Sequence, residues 1–120
     1  MTYNNIIFNI EGNVATITFN RPEVQNGFNV PMCKEILDAI QVVADTDEAR
    51  VLVFKAEGKV FSVGGDLAEM KRAVEEDDTE SLFEITHLVM QISLAMKHLP
   101  KPVVMCTDGA VAGAAFNMVL

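Results

Sequence analysis

The sequence has no tryptophan, one tyrosine, two cysteines and four prolines among its 120 residues, and it is short of positive charge. Each shortage excludes something. Cys33 and Cys106 have no CxxC or metal-ligand spacing, so neither a disulfide scaffold nor a cysteine-held metal is expected. Their apolar neighbours predict reduced, buried thiols in a reducing compartment. Nine basic against seventeen acidic side chains leave a net charge of −8, the wrong sign for a surface that neutralises phosphates, so no nucleic-acid partner is expected. The longest apolar run, around residues 110–116, is far short of the roughly 20 residues of a membrane helix, and the first five residues show no secretory signal. A cytoplasmic protein with no membrane partner is the expectation.

What is present is largely apolar. Hydrophobic residues make up 50% of the chain, enough for one domain of this size to bury a core without staples. Residues 6–10 and 14–19 are β-branched and aromatic runs around Glu11-Gly12-Asn13, which predicts a hairpin whose Gly and Asn tolerate positive φ. Arg21-Pro22 through Asn26-Gly27 is a breaker-rich loop. Asn29 then caps a helix with Pro31 in its first turn, running to about Thr46, with Met32, Ile36, Ile40 and Val43 on one face. Val51-Leu52-Val53-Phe54 is a fully apolar strand expected to be buried on both faces, and Val103-Val104-Met105 is a second short buried strand.

Between those strands, the loop Phe61-Ser62-Val63-Gly64-Gly65 leads to Asp66, with Glu69 three residues on, the pattern of a capped helix start. The charged run from Lys71 to Asp78 reads as a solvated, mobile connector. Residues 79–99 form the longest helix, with Leu82, Ile85, Val89, Ile92, Met96 and Leu99 at steps of three and four, a stripe for core or subunit contact. The order strand, strand, helix, strand, helix, helix, strand, helix predicts an α/β fold. Residues 116–120 read as the first turns of an apolar helix with neither cap nor polar tail, which predicts that more sequence follows.

Two glycine-bearing turns, Gly64-Gly65-Asp66 and Gly113-Ala114-Ala115, each deliver a backbone N–H to the start of a helix. Residues without bulk let a ligand oxygen approach the main chain, and free N–H groups favour negative charge, so together the turns can form an oxyanion hole. Taken singly, each turn is explained as well by close packing at a strand-to-helix junction. The other candidates are bland. His87 and His98 lie eleven residues, or about three turns, apart and are too distant to share a metal. Asp66 is better explained as a helix cap than as a base. Phe83, Phe116, Met90, Met96, Met105 and Met118 fit core packing as readily as an acyl pocket. No Ser-His-Asp pattern, phosphate loop or metal cluster competes.

Three ordered blocks carry a family resemblance. Asn20-Arg21-Pro22-Glu23 with Asn26, then Phe61-Ser62-Val63-Gly64-Gly65-Asp66-Leu67 with Glu69-Met70, then Lys101-Pro102-Val103-Val104 leading to Gly109-Ala110-Val111-Ala112-Gly113-Ala114, resemble the N-terminal half of the enoyl-CoA hydratase/isomerase (crotonase) family. Asn26-Gly27-Phe28-Asn29 and Met70-Lys71-Arg72-Ala73-Val74 resemble its decenoyl-acyl-carrier-protein isomerase branch. The resemblance implies a crotonase-like spiral of ββα units, incomplete at the C-terminus. Residues 1–120 would be the N-terminal portion of a single domain that assembles as a homotrimer or hexamer. It implies an acyl-CoA or acyl-carrier-protein thioester as substrate, with no further cofactor and no metal.

By position, the thioester carbonyl would be held by the backbone N–H groups of Gly65 and Ala114. Val24, Gly27, Val63, Leu67 and Ala68 would line the pantetheine path, with Asp66, Gly113 and Asn117 also at the substrate. Ala68 stands where some relatives carry a lysine for the CoA phosphate, which eases the case for an acyl-carrier-protein thioester. Asn117 stands where hydratases carry one of two glutamates. An amide cannot exchange a proton near neutral pH, so the resemblance favours shifting an enoyl double bond from trans-2 to cis-3, which needs one carboxylate. That carboxylate is expected beyond Leu120. The alternatives are a hydratase adding water to a trans-2-enoyl thioester, and a non-catalytic thioester-binding or assembly unit.

Overall fold

The hairpin forms where alternation predicts it. In the computed structural model, which describes residues 1–120, β1 (Ile6–Glu11) and β2 (Val14–Phe19) pair antiparallel with Glu11 opposite Val14. Only Gly12 of the turn takes positive φ, at 61°. Ala15, Ile17 and Phe19 of β2 point inward and are fully buried. After a 3-10 turn at Pro22–Val24, α1 (Val30–Asp45) begins at Asn29, whose side chain accepts from the Met32 N–H at 2.9 Å. Its other end is closed from afar: the Lys101 ammonium donates to the carbonyls of Val43 and Thr46 at 2.6 and 2.9 Å. Midway along α1 the buried Glu35 accepts from the N–H groups of Asn4 and Asn5, which fastens the N-terminal segment.

Next come β3 (Val51–Ala56), β4 (Val60–Ser62), α2 (Leu67–Glu75), α3 (Thr79–His98), β5 (Val103–Met105), β6 (Ala110–Val111) and α4 (Ala114–Val119). The larger sheet has the order β1-β2-β3-β5, with β2, β3 and β5 parallel, and β4 pairs with β6 in a smaller parallel sheet. The chain thus takes three ββα steps. In the second and third, the first strand joins the larger sheet and the second strand the smaller one.

The core is one cluster of 20 buried residues drawn mainly from the larger sheet, α1, α3 and α4, with Phe61 of β4 and the loop residues Phe28 and Ala49. At its centre the ring of Phe19 lies 5.5 Å from Phe28, 6.0 Å from Phe54 and 5.1 Å from Phe61, joining β2, the loop before α1, β3 and β4.

Four expectations are corrected. β3 and β5 bury one face, not both: Leu52 and Phe54 are at 0% exposure, whereas Val104 on the far face is 46% exposed, because α1 and α3 pack on one side of the sheet. Cys106 is exposed, only Cys33 being buried. The run from Lys71 is not a loose connector, since α2 continues through Glu75 and Arg72 bridges Glu69, Glu76 and Asp78. Glu69 and Glu76 are the i, i+3 and i, i+4 partners that support a helix, and Asp78, the N-cap of α3, ties the two helices together. Finally, β4 and β6 form within segments read as loop and turn. The stripe on α3 faces inward as expected, with Ile85, Ile92 and Leu99 buried and Leu82, Val89 and Met96 half-buried, while Phe83, Met90 and Leu94, off the stripe, are exposed.

Candidate active site

The first glycine turn is built from behind. β4 ends at Ser62, which is fully buried, and Gly64 follows at φ 89°. The Gly64 N–H donates to Ser62 Oγ at 3.0 Å, and the Ser62 hydroxyl donates to the Asn26 carbonyl at 2.8 Å. The Phe28 N–H donates to the Gly64 carbonyl at 2.7 Å, and the Asp66 N–H returns a bond to the Phe28 carbonyl at 2.9 Å, forming an isolated parallel bridge. A trans peptide is planar, so a Gly64 carbonyl aimed at Phe28 sends the Gly65 N–H the opposite way. That N–H has no acceptor within the chain.

The second turn follows β6. The Ala112 N–H donates to the Ser62 carbonyl at 3.0 Å, Gly113 turns the chain at φ 59°, and the Ala114 N–H likewise has no acceptor within the chain. The turns interlock. A Cβ on Gly64 would lie 2.9 Å from the Ala114 nitrogen, and one on Gly113 would lie 2.9 Å from the Val63 oxygen, so only glycine lets the two backbones meet.

Over the paired turns lies a cleft of about 530 Å³. Leu67 and Met70 of α2 and Ile85, Val89 and Met90 of α3 make its apolar walls; Thr86, Ser93 and Asn117 are its polar side chains, and no acid or base lines it. A neighbouring cleft of about 230 Å³ is lined by Val24, Asp66 and Ala68, sharing Val63 and Leu67 with the first. A third hollow of about 420 Å³, bounded by Met96, Met105 and Met118, shares Ser93 and Asn117. The three hollows are thus neighbours around the paired turns.

Of the residues expected at a site, Val63, Gly65, Leu67, Gly113, Ala114 and Asn117 therefore meet in the main cleft, and Val24, Asp66 and Ala68 in its neighbour. Gly27 lines none of the three hollows. It is buried against α2, where a Cβ would lie 2.9 Å from Asp66 Cα, and its carbonyl accepts from the Arg21 guanidinium. Asp66 is a cap and a clamp: its carboxylate accepts from the Glu69 N–H at 3.1 Å and pairs with Arg21 Nη2 at 3.0 Å, both side chains nearly buried.

Sequence reasoning missed the residues that hold this turn. The Asn26 amide donates to the carbonyls of Glu57 and Val60, both at 2.9 Å, and its oxygen accepts from the Arg21 N–H at 2.8 Å. Asn26 also sits at φ 55°, and asparagine's tolerance of that conformation was the available signal. Shifted ionisations lie elsewhere. Burial pushes the Cys33 thiol up to about 12, and burial with a hydrogen bond to Asp38 pushes Tyr3 up to about 12. Hydrogen bonds from Ser81, then Arg72, lower Asp78. No three His, Cys, Asp or Glu side chains are grouped to hold a metal, and no helix is long and apolar enough to cross a membrane.

Known proteins match along the whole of this framework. A profile of the family described as Enoyl-CoA hydratase/isomerase matches residues 9–120. The chain is 58% identical over 118 residues to the trans-2-decenoyl-[acyl-carrier-protein] isomerase of Streptococcus mutans, covering 98% of this chain and 45% of that one. It is 28% identical over 115 residues to the 1,2-epoxyphenylacetyl-CoA isomerase of Escherichia coli, covering 96% and 44%. Among solved structures, human enoyl coenzyme A hydratase domain-containing protein 3 shares the fold with a TM-score of 0.88 at 23% identity, over 96% of this chain and 44% of that one. The chain spans a little under half the length of these relatives.

Proposed function

The chain belongs to the enoyl-CoA hydratase/isomerase family, and on that premise we propose that it forms the oxyanion-binding part of an enoyl-thioester isomerase that moves a double bond from trans-2 to cis-3. The observation that carries this reading is the pair of interlocked turns, with two unsatisfied main-chain N–H groups at the floor of an apolar cleft. In the reaction, a base removes a proton from the carbon beyond the double bond and the electrons move toward the thioester oxygen. The same proton is then delivered to the carbon beside the carbonyl. Gly65 and Ala114 receive the charged oxygen, and each such donor is worth about 2.7 to 4 kcal/mol of barrier. No further cofactor is needed, since the thioester itself supplies the electron sink.

Asn117 supports isomerisation over hydration, because its amide can hold a substrate by hydrogen bonds but cannot pass a proton. None of the twelve cleft residues is an acid or base, so the reading requires a shuttling carboxylate brought to the cleft from another segment. The neighbouring cleft takes the pantetheine arm. Its only ionisable residues are Glu23 and Asp66, with Ala68 in place of a cation, which favours an acyl-carrier-protein thioester over the more highly charged CoA. The exposed Phe83, Met90 and Leu94 of α3 are consistent with assembly into a homotrimer or hexamer, in the cytoplasm where acyl carriers are used.

Calorimetry with a trans-2-decenoyl pantetheine thioester, followed by chromatography of the products, tests the reading. Saturable binding and any product in the cis-3 form are expected. A 3-hydroxy product would transfer the reading to hydration, and no binding would refute it.

A further inference from the structure

We propose that Ser62 is a positioning residue for the oxyanion turn, its buried hydroxyl holding the Gly64 N–H, and with it the Val63–Gly64 peptide, so that Gly64 keeps the conformation in which the Gly65 N–H faces the substrate carbonyl. The proposal rests on the reading that this N–H receives a thioester oxygen. Glycine is the residue with the most backbone freedom, and Gly64 is held at φ 89° by bonds to both of its polar groups. On one side the Phe28 N–H binds its carbonyl at 2.7 Å; on the other Ser62 Oγ accepts its N–H at 3.0 Å. The Phe28 bond fixes the peptide between Gly64 and Gly65 directly; the Ser62 bond fixes the peptide before it, and without it the φ of Gly64 is free to change and the direction of the Gly65 N–H turns with it.

The hydroxyl is itself held. Its single proton goes to the Asn26 carbonyl at 2.8 Å, which leaves its lone pairs for the Gly64 N–H and fixes the direction of acceptance. Asn26 cannot drift, because its amide spans the carbonyls of Glu57 and Val60. Ser62 is at 0% exposure and lines none of the three hollows, so it acts through Gly64 and not on the substrate. The same hydroxyl links the loop that carries Val24, on the wall of the smaller cleft, to Gly64, the residue just before the donor in the larger one.

The direct readout is the carbonyl stretching band of a bound, carbonyl-labelled trans-2-decenoyl pantetheine thioester, recorded by difference infrared spectroscopy with the unaltered chain and with Ser62→Ala and Ser62→Cys. A hydrogen-bonded, polarised carbonyl moves to lower frequency, and this needs no turnover. The chain itself is expected to show the shift, and both variants to lose more than half of it while binding stays within roughly tenfold, as for a donor displaced by about 1 Å. Circular dichroism establishes that each variant is folded. A folded variant with the full shift would overturn the proposal. Absence of the shift in the unaltered chain would instead defeat the reading of Gly65 as a donor.

Amide hydrogen exchange of the unaltered chain provides a second test, independent of any variant. Gly64 is expected to be protected like the amides of β4 and Gly65 to exchange freely until the thioester binds. A freely exchanging Gly64 would overturn the proposal.

Discussion

The two turns that face the cleft present the same group, an unsatisfied N–H, but they are held in different ways. Gly64 is buried and fixed by Ser62 and Phe28, with the Arg21–Asp66 pair closing the far side and the rings around Phe19 behind it. The second turn has little of its own. Gly113 is exposed, no side chain caps α4, Phe116 in that helix is 52% exposed, and the turn takes its place from the Ser62 carbonyl and the backbone of the first. One turn is a product of the core; the other is docked on the first. A difference of that kind predicts that damage spreads from the first turn to the second but not the reverse.

The hardest way to break the comparison is Phe19→Ala. Removing the central ring should destabilise the chain by about 3 to 5 kcal/mol, and urea unfolding should show both turns lost together. Asp66→Asn keeps a capping oxygen but leaves the Arg21 guanidinium nearly buried and unpaired. A loss of about 3 kcal/mol is expected by the same measurement, with thioester affinity falling in parallel.

Gly113→Ala sharpens the contrast. Strain at φ 59° and contact with the Val63 oxygen should cost about 1 to 3 kcal/mol, with thioester binding lost while amide exchange in β4 and at Gly64 stays as it was. If Gly64 loosens as well, the two turns form one unit and the contrast fails.

The smallest effect is in alkali. The Cys33 thiol, raised by burial to about 12, stays protonated in the folded chain, so its contribution is complete below the unfolded value near 9 and is lost as pH rises through 12. Thiol labelling at mildly alkaline pH should therefore modify the exposed Cys106 at once and Cys33 only on unfolding.

Much of the larger sheet and of the helices was legible because their signals are local. The hairpin shows in its alternation around Gly12, α1 in Asn29 and Pro31, and α2 in the Asp66 cap. β4 and β6 were not, since a strand of three residues and one of two exist only through each other, fifty residues apart. The charges of α2 misled for the opposite reason: a cluster that usually signals a solvated segment is here a set of partners arranged around Arg72. At the site, the glycine spacing pointed to the N–H donors. It could not point to Ser62 or Asn26, whose importance lies in the direction of a hydroxyl and an amide fixed only once the loop at residues 21–27 has folded against β4.

Because both unsatisfied groups at the floor of the cleft belong to the main chain, no replacement other than proline can delete them. A systematic alanine scan would leave every donor nitrogen in place and would score Ala114 not at all and Gly65 only through bulk against Met70. Its hits would fall instead on Phe19, Arg21, Asn26, Ser62 and Asp66, residues that a mutational survey would file as structural. The chemistry of this surface is thus written in the chain's path and not in its side-chain alphabet, which leaves the walls of the cleft free to change with the substrate.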